Sequence, residues 1–177
     1  MTEPPVNAIV ELSCACANLR RVARIVTRIY DQELKPAGLE TTPNGWRRIG
    51  AYGEFQNQSL REIEQMQMLN VVALTSLTRL ALPEMLARKH GRILNLASVV
   101  AYQPGGPRMA VYYATKAFVL SFSKGLAREL DGSGVSVTAL SPGLTKSSFE
   151  QRAGASGTAL YRFIPQMSAR AVAIAGY

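Results

Sequence analysis

Tyr112 and Lys116 are four residues apart, and Ser98 precedes the tyrosine by fourteen residues. Positions i and i+4 share one face of a helix, so the lysine ammonium would lie beside the phenol. A phenol has an ordinary pKa of about 10, and a nearby positive charge is needed to lower that pKa toward neutrality. A serine hydroxyl brought to the same place can hold a carbonyl or alcohol oxygen. These three residues therefore indicate acid–base chemistry at a carbonyl or alcohol.

Each of these residues also has a purely structural interpretation. Tyr113 is an alternative for the acid–base role, but the residue four positions after it is Ala117, which favours Tyr112. Ser98 on its own could end a strand in a turn, and Asn70 could form a hydrogen bond at a helix bend. A tyrosine and a lysine at this spacing are common on helices, so the pair alone does not identify a site.

The composition indicates one globular domain, or one domain with an appendage. The chain has 177 residues, of which 47% are hydrophobic. No apolar run reaches the roughly 18 residues that a membrane span requires, and the acidic N-terminus does not resemble a signal peptide. Cys14 and Cys16 are too close for an ordinary disulfide, and with one histidine they make a poor metal site. We therefore expect no metal, no membrane and a reducing, cytoplasmic setting.

The net charge of +8 raises the question of a nucleic-acid partner. Arg20, Arg24 and Arg28 repeat at four-residue spacing and would form a basic stripe on a helix. The other basic residues are spread among acidic ones along the chain. A basic helix face is usually a solvated face, so the charge does not favour a nucleic-acid partner.

The first 43 residues differ in character from the rest of the chain. Apolar residues at three- and four-residue spacing predict a helix over 9–35, which Pro36 and Gly38 end. A second long helix is predicted over 59–89. Ser59 and Glu62 have the spacing of a capping box at its start, and bends are expected near Asn70 and Pro83.

The next elements predict one βαβ unit. The run RILNLA is typical of a buried parallel strand, a helix is predicted over 111–130, and VSVTAL is a second strand. In open α/β sheets, ligands bind at the carboxyl ends of the strands. Ser98 follows the first strand, Pro142 and Gly143 follow the second, and Tyr112 begins the crossover helix. We expect these residues to meet at one edge of the sheet.

These landmarks, in this order, resemble the short-chain dehydrogenase/reductase family over residues 52–165. The matching features are Asn70, Ser98, Tyr112-xxx-Lys116 and the segment Pro142-Gly143-Leu144-Thr145. The resemblance implies that Tyr112 is the general acid/base and that Lys116 lowers the pKa of Tyr112 and binds the nicotinamide ribose. It further implies that Ser98 orients the substrate oxygen and that Asn70 holds a water in a proton relay.

The same resemblance implies a cofactor, a substrate class and an assembly. Pro142, Gly143 and Thr145 would lie against the nicotinamide end of NAD or NADP, and the substrate would be a small carbonyl or alcohol. The fold would be a partial Rossmann-like (doubly wound) α/β fold with long flanking helices. Helices 59–89 and 111–130 resemble those that form the family's dimer interface, which implies a homo-oligomer.

Two features depart from the family pattern. The glycine-rich turn that receives the cofactor pyrophosphate does not occur after any predicted strand. Residues 10–42 are instead similar to the first helix of multiple-antibiotic-resistance-type (MarR) regulators, without the DNA-reading helices that should follow. The sequence thus predicts an N-terminal helical segment, 1–43, joined to a truncated dehydrogenase-like domain, 44–177. The alternatives to an oxidoreductase are a non-catalytic chimeric fragment and a MarR-like regulator.

Overall fold

The computed structural model describes residues 50–155, 158 and 164–176, all within the compact unit that runs from residue 46 to 177. The predicted helix over 9–35 and the regulator-like segment 1–43 lie outside the described residues. A boundary between the two predicted segments therefore stays a prediction.

A long helical stretch opens the described part of the chain. It consists of α1 (Leu60–Gln67), a π-helical segment (Met68–Ala73) and α2 (Leu74–Ala87). The helix over 59–89 is thus confirmed, and the bend predicted near Asn70 corresponds to the π-helical segment. Ser59 is the N-cap residue, as expected, but its hydroxyl makes no capping hydrogen bond. The capping hydrogen bond predicted for the Ser59 side chain is therefore wrong. The Ser59 carbonyl begins the helix by accepting from the amides of Glu62 (3.0 Å) and Ile63 (3.1 Å).

The βαβ unit has the predicted order and boundaries to within two residues. It consists of β1 (Gly91–Leu96), α3 (Ala110–Glu129) and β2 (Val135–Leu140). The two strands are parallel, with Gly91 opposite Val135 and Leu96 opposite Leu140. The carboxyl ends of both strands therefore lie at one edge of the sheet, as the predicted α/β fold requires.

One face of β1 is covered, and the other is largely open within the described part of the chain. Asn95 is buried and donates to Ser123 Oγ at 2.9 Å, which ties the strand to α3. On the opposite face, Leu94 and Leu96 are 49% and 54% exposed. The apolar run predicted burial on both faces, and that prediction is wrong for these two leucines, because the contact with Ser123 of α3 is made by Asn95 on the opposite face.

The chain after β2 forms small elements that the sequence did not predict. They are β3 (Thr145–Lys146), α4 (Phe149–Ala153), β4 (Met167–Ser168) and α5 (Ala169–Gly176). Strand β3 pairs with β4 in parallel, as a second sheet of two residues per strand. Short 3-10 helices occur at Phe55–Asn57 and Val99–Tyr102.

Two apolar clusters hold the described elements together. One joins the sheet to α3 through Ala97, Val119 and Leu120. The other surrounds Tyr112, with Met66 from α1 and Met109 from the turn before α3. Within residues 50–155 and 164–176, no helix combines the length and hydrophobicity needed to span a bilayer.

Candidate active site

Ser98 is fixed at the carboxyl edge of the sheet. Beyond the strands, the Ala97 amide donates to the Leu140 carbonyl at 2.8 Å, and the Val99 amide donates to the Pro142 carbonyl at 3.0 Å. Ser98 lies between these two bonds in an extended conformation and is 9% exposed. The structure therefore brings Ser98 and Pro142 together at the predicted edge.

Tyr112 lies in the first turn of α3 and meets Ser98. The Ser98 side chain is near enough to influence the pKa of the Tyr112 phenol, and Tyr112 is 9% exposed. Burial is the largest influence and raises the pKa of the Tyr112 phenol. The interaction of the phenol with the Ser98 side chain opposes this rise in pKa, and the neighbouring Tyr113 adds to it. The phenol is therefore held in its protonated form at neutral pH.

Lys116 lies one turn further along α3 and is also buried. Its Nζ donates to the Leu96 carbonyl oxygen at 2.8 Å and is 5.9 Å from the centroid of the Tyr112 ring. Burial lowers the pKa of Lys116 to about 8. Burial is the largest influence and raises the pKa of the Tyr112 phenol overall, and the expectation that Lys116 lowers this pKa stays a prediction.

The low pKa of Lys116 predicts a pH dependence of stability. The folded pKa of about 8 is below the ordinary value of 10.5, so between these values the unfolded chain binds more protons. The free energy of unfolding should therefore rise with pH in this window, by about 2 kcal/mol between pH 8 and 10 from this group. Chemical unfolding at both pH values measures the rise.

Lys116→Met should remove this pH-dependent rise. Lys124→Met, which changes an exposed lysine of the same helix, serves as the control and should leave the rise in place. A rise of equal size in Lys116→Met and in the unchanged chain would contradict the burial of a titrating ammonium at this position.

Asn70 is connected to the tyrosine by a residue that the sequence reasoning missed. Its Nδ2 donates to Thr115 Oγ1 at 3.0 Å, and the Thr115 hydroxyl donates to the Tyr112 carbonyl oxygen at 2.8 Å. All three residues are buried. The π-helical segment that contains Asn70 is thus fastened to the first turn of α3. Thr115 directly precedes Lys116 in the sequence, but nothing in that position indicates its partner 45 residues away.

The segment after β2 has features that fit a ligand. Thr145 Oγ1 donates to the Gly143 carbonyl at 3.0 Å, and a Cβ at Gly143 would meet no atom within 4 Å. The hydroxyl of Ser141, next to Pro142, is buried and has no hydrogen-bond partner. An open space and an unsatisfied buried hydroxyl at the strand ends suit the polar nicotinamide end of a dinucleotide. The sequence contains neither a Gly-x-x-x-Gly-x-Gly nor a Gly-x-Gly-x-x-Gly motif for its pyrophosphate.

Within the described part of the chain, no three His, Cys, Asp or Glu side chains are grouped as a metal site would require. The polar groups at this edge of the sheet include the hydroxyls of Ser98, Tyr112, Ser141 and Thr145 and the ammonium of Lys116. They suit proton transfer at an oxygen atom.

The fold and this group of residues define the class of protein. The family model for short chain dehydrogenases matches residues 44–156, which is more than half of the chain. The chain therefore belongs to the short-chain dehydrogenase family.

Individual relatives agree with this assignment. The chain is 35% identical over 133 residues to serine 3-dehydrogenase of Rhizobium radiobacter, covering 68% of this chain and 52% of that protein. It is 41% identical over 91 residues to the ketoacyl reductase HetN of a Nostoc species, and the match covers 51% of this chain and 31% of that protein. The structure of a short-chain dehydrogenase of Sphingobium yanoikuyae, solved in complex with NADPH, superposes on this chain with a TM-score of 0.65 and is 34% identical to it. The match covers 73% of this chain and 50% of that one.

The matches also show how much of the family's length is present. The chain spans about half the length of the curated relatives it matches, or less. The Rossmann-like fold of the family is therefore seen here in part, as one βαβ unit with its flanking helices.

Proposed function

We propose that this chain carries the catalytic half of an NAD(P)-dependent oxidoreductase that interconverts a carbonyl and an alcohol. The observation that supports this proposal most strongly is the burial of Ser98, Tyr112 and Lys116 at one edge of the sheet, with the Lys116 Nζ 5.9 Å from the centroid of the Tyr112 ring. Membership of the short-chain dehydrogenase family supports the same reaction class.

Ser98 and Tyr112 would hold the substrate oxygen between them. In the reductive direction, Tyr112 gives its phenolic proton to the carbonyl oxygen, and the oxygen becomes the hydroxyl of the product. Burial raises the pKa of Tyr112 and so keeps it protonated until substrate arrives. The phenolate that remains is stabilised by the Lys116 ammonium nearby.

Asn70 would act on the same turn of the helix. Through Thr115 it fixes the backbone at Tyr112, which keeps the phenol directed at Ser98. The family role of a residue that holds a water for proton transfer belongs to the same proposal for Asn70.

Lys116, Pro142, Gly143 and Thr145 would hold the nicotinamide end of the cofactor. The nicotinamide supplies the hydride when the cofactor is bound. The fit of these residues rests on the open space beside Gly143 and on the unsatisfied hydroxyl of Ser141. Of the two candidate cofactors, NAD and NADP, the solved relative in complex with NADPH supports NADP.

The non-catalytic fragment remains the second candidate. It is favoured by the missing pyrophosphate-binding turn and by the chain's coverage of about half of the serine 3-dehydrogenase relative. The decisive experiment is an assay of the purified chain for oxidation of NADH and NADPH with a panel of ketones and aldehydes. Substrate-dependent oxidation that fails in Ser98→Ala supports the oxidoreductase, and no oxidation with any pair supports the fragment.

A homodimer through the long helices, in a cytoplasmic setting, belongs to the same proposal. Apolar side chains are exposed on both helical stretches, among them Leu80 (56%) and Phe118 (37%). Large apolar side chains exposed on both of the predicted interface helices support such an interface.

Leu80→Glu is therefore expected to shift the chain from dimer to monomer, because a buried charge at an interface is costly. Sedimentation velocity measures the change. Ile174→Glu, at an exposed apolar position on α5, is the matched control and should leave the dimer intact. A monomer in the unchanged chain would contradict the proposed interface.

A further inference from the structure

Phe149, in the short helix α4, packs against the tyrosine of the candidate site. The centroids of the Phe149 and Tyr112 rings are 5.3 Å apart with an interplanar angle of 41°. This is the separation of aromatic rings in direct contact. Phe149 is half-buried and belongs to the apolar cluster around Tyr112.

Both rings approach the backbone of Gly50. A Cβ at this position would lie 2.9 Å from Phe149 Cζ and 3.2 Å from Tyr112 Cδ2. These distances are shorter than ordinary carbon–carbon contacts of about 3.5–4.0 Å. The arrangement therefore depends on residue 50 having no side chain, which allows both rings to pack on its backbone.

The segment that carries Phe149 is fastened to the same stretch of chain. The Tyr52 amide donates to the Ala153 carbonyl at 2.8 Å, and the Ala155 amide donates to the Glu150 carbonyl at 2.9 Å. Ala153 and Ala155 are each 1% exposed. Helix α4 thus packs beside residues 50–52. Backbone hydrogen bonds at the C-terminal end of α4 fix the position of Phe149 at its N-terminal end.

We propose that Phe149 is a positioning residue for Tyr112. The Phe149 ring packs on the backbone of Gly50, covers one side of the phenol ring and excludes water from it. The proposal rests on the proposed function only in taking Tyr112 as the proton donor. Phe149 itself would transfer no proton.

The remaining neighbours of the phenol account for the other influences on its titration. Ser98, at the end of β1, and Tyr113, on α3, are these other influences. Lys116 of α3 and Tyr52 are the further titratable residues near the ring. Met66 of α1 and Phe149 of α4 bring no charge. Removal of the Phe149 ring would therefore act mainly by opening the phenol to water, and exposure to water favours the charged phenolate.

The test is a pH titration of Tyr112 in the full chain without cofactor, followed by NMR of carbon-13-labelled tyrosine. The resonance is assigned by its loss in Tyr112→Phe. The phenol pKa is expected to fall in Phe149→Ala and to fall less in Phe149→Leu, which keeps an apolar side chain. Gly50→Ala should also lower the phenol pKa, because the added methyl group displaces both rings from their positions against residue 50.

Phe122→Ala is the matched control. Phe122 stacks on Phe118 at 5.9 Å, on the same helix α3 but outside the cluster around Tyr112. The control should leave the Tyr112 titration unchanged. An unchanged titration in Phe149→Leu and Gly50→Ala, or an equal fall in Phe122→Ala, would overturn the proposal. Because the titration requires neither cofactor nor substrate, its outcome is independent of whether the chain proves to be an oxidoreductase.

Discussion

Tyr112→Phe is expected to lower the rate of carbonyl reduction by about 10²- to 10⁴-fold, the usual contribution of a positioned general acid. The substitution removes only the hydroxyl and leaves the ring that packs on Phe149. Fold and cofactor affinity should therefore be preserved. The measurement is kcat for the substrate that the carbonyl panel identifies, together with the thermal midpoint of unfolding.

Tyr113→Phe is the control for this substitution. Tyr113 is the neighbouring tyrosine, with its ring centroid 6.4 Å from that of Tyr112. Loss of its hydroxyl should change kcat only slightly. If Tyr113→Phe abolished turnover and Tyr112→Phe did not, the acid–base role would belong to Tyr113.

Gly134→Ala is expected to destabilise the fold by about 2–4 kcal/mol. Gly134 directly precedes β2 and has a φ of +81°, which disfavours any residue with a Cβ. An added Cβ would also overlap the carbonyl oxygen of Lys89 and lie 2.8 Å from the Lys89 carbonyl carbon. These are backbone atoms at the start of the parallel pair, so neither side can move without disturbing the pairing of Gly91 with Val135. Chemical unfolding measures the loss.

Gly132→Ala separates the two causes of that loss. Gly132 also has a positive φ, +74°, but a Cβ there would meet no atom within 4 Å. Its substitution should cost only the backbone strain, about 1–2 kcal/mol. Equal losses in the two variants would show that the approach to Lys89 contributes nothing.

The elements that carry strong local signals could be predicted from the sequence. VSVTAL is rich in β-branched residues and lies between Gly134 and Pro142, and the structure has a strand over Val135–Leu140. Tyr112 and Lys116 were placed on one helix by their spacing alone, and α3 contains both. Parallel pairing then brings the ends of β1 and β2, and hence Ser98, to the same edge.

The contacts that adjust the site could not be predicted, because they join residues far apart in the chain. Thr115 and Asn70 are separated by 45 positions, and neither has a local pattern that specifies the other. Phe149 meets Tyr112 through a helix of only five residues, too short for periodicity to reveal. The burial of the Tyr112 phenol could not be predicted either, because spacing shows that an ammonium is nearby but not how deeply the phenol is buried.

The most direct test is the binding of NADPH and NADH to the purified chain, measured as a shift in the thermal midpoint of unfolding. A ligand at ten times its dissociation constant should stabilise the folded chain by about 1.4 kcal/mol, which corresponds to roughly 3–5 °C for a chain of this size. Lys116→Met should reduce the shift, and Lys124→Met should not. A midpoint unchanged by either nucleotide at millimolar concentration would contradict nicotinamide binding at the edge formed by Lys116, Pro142 and Gly143.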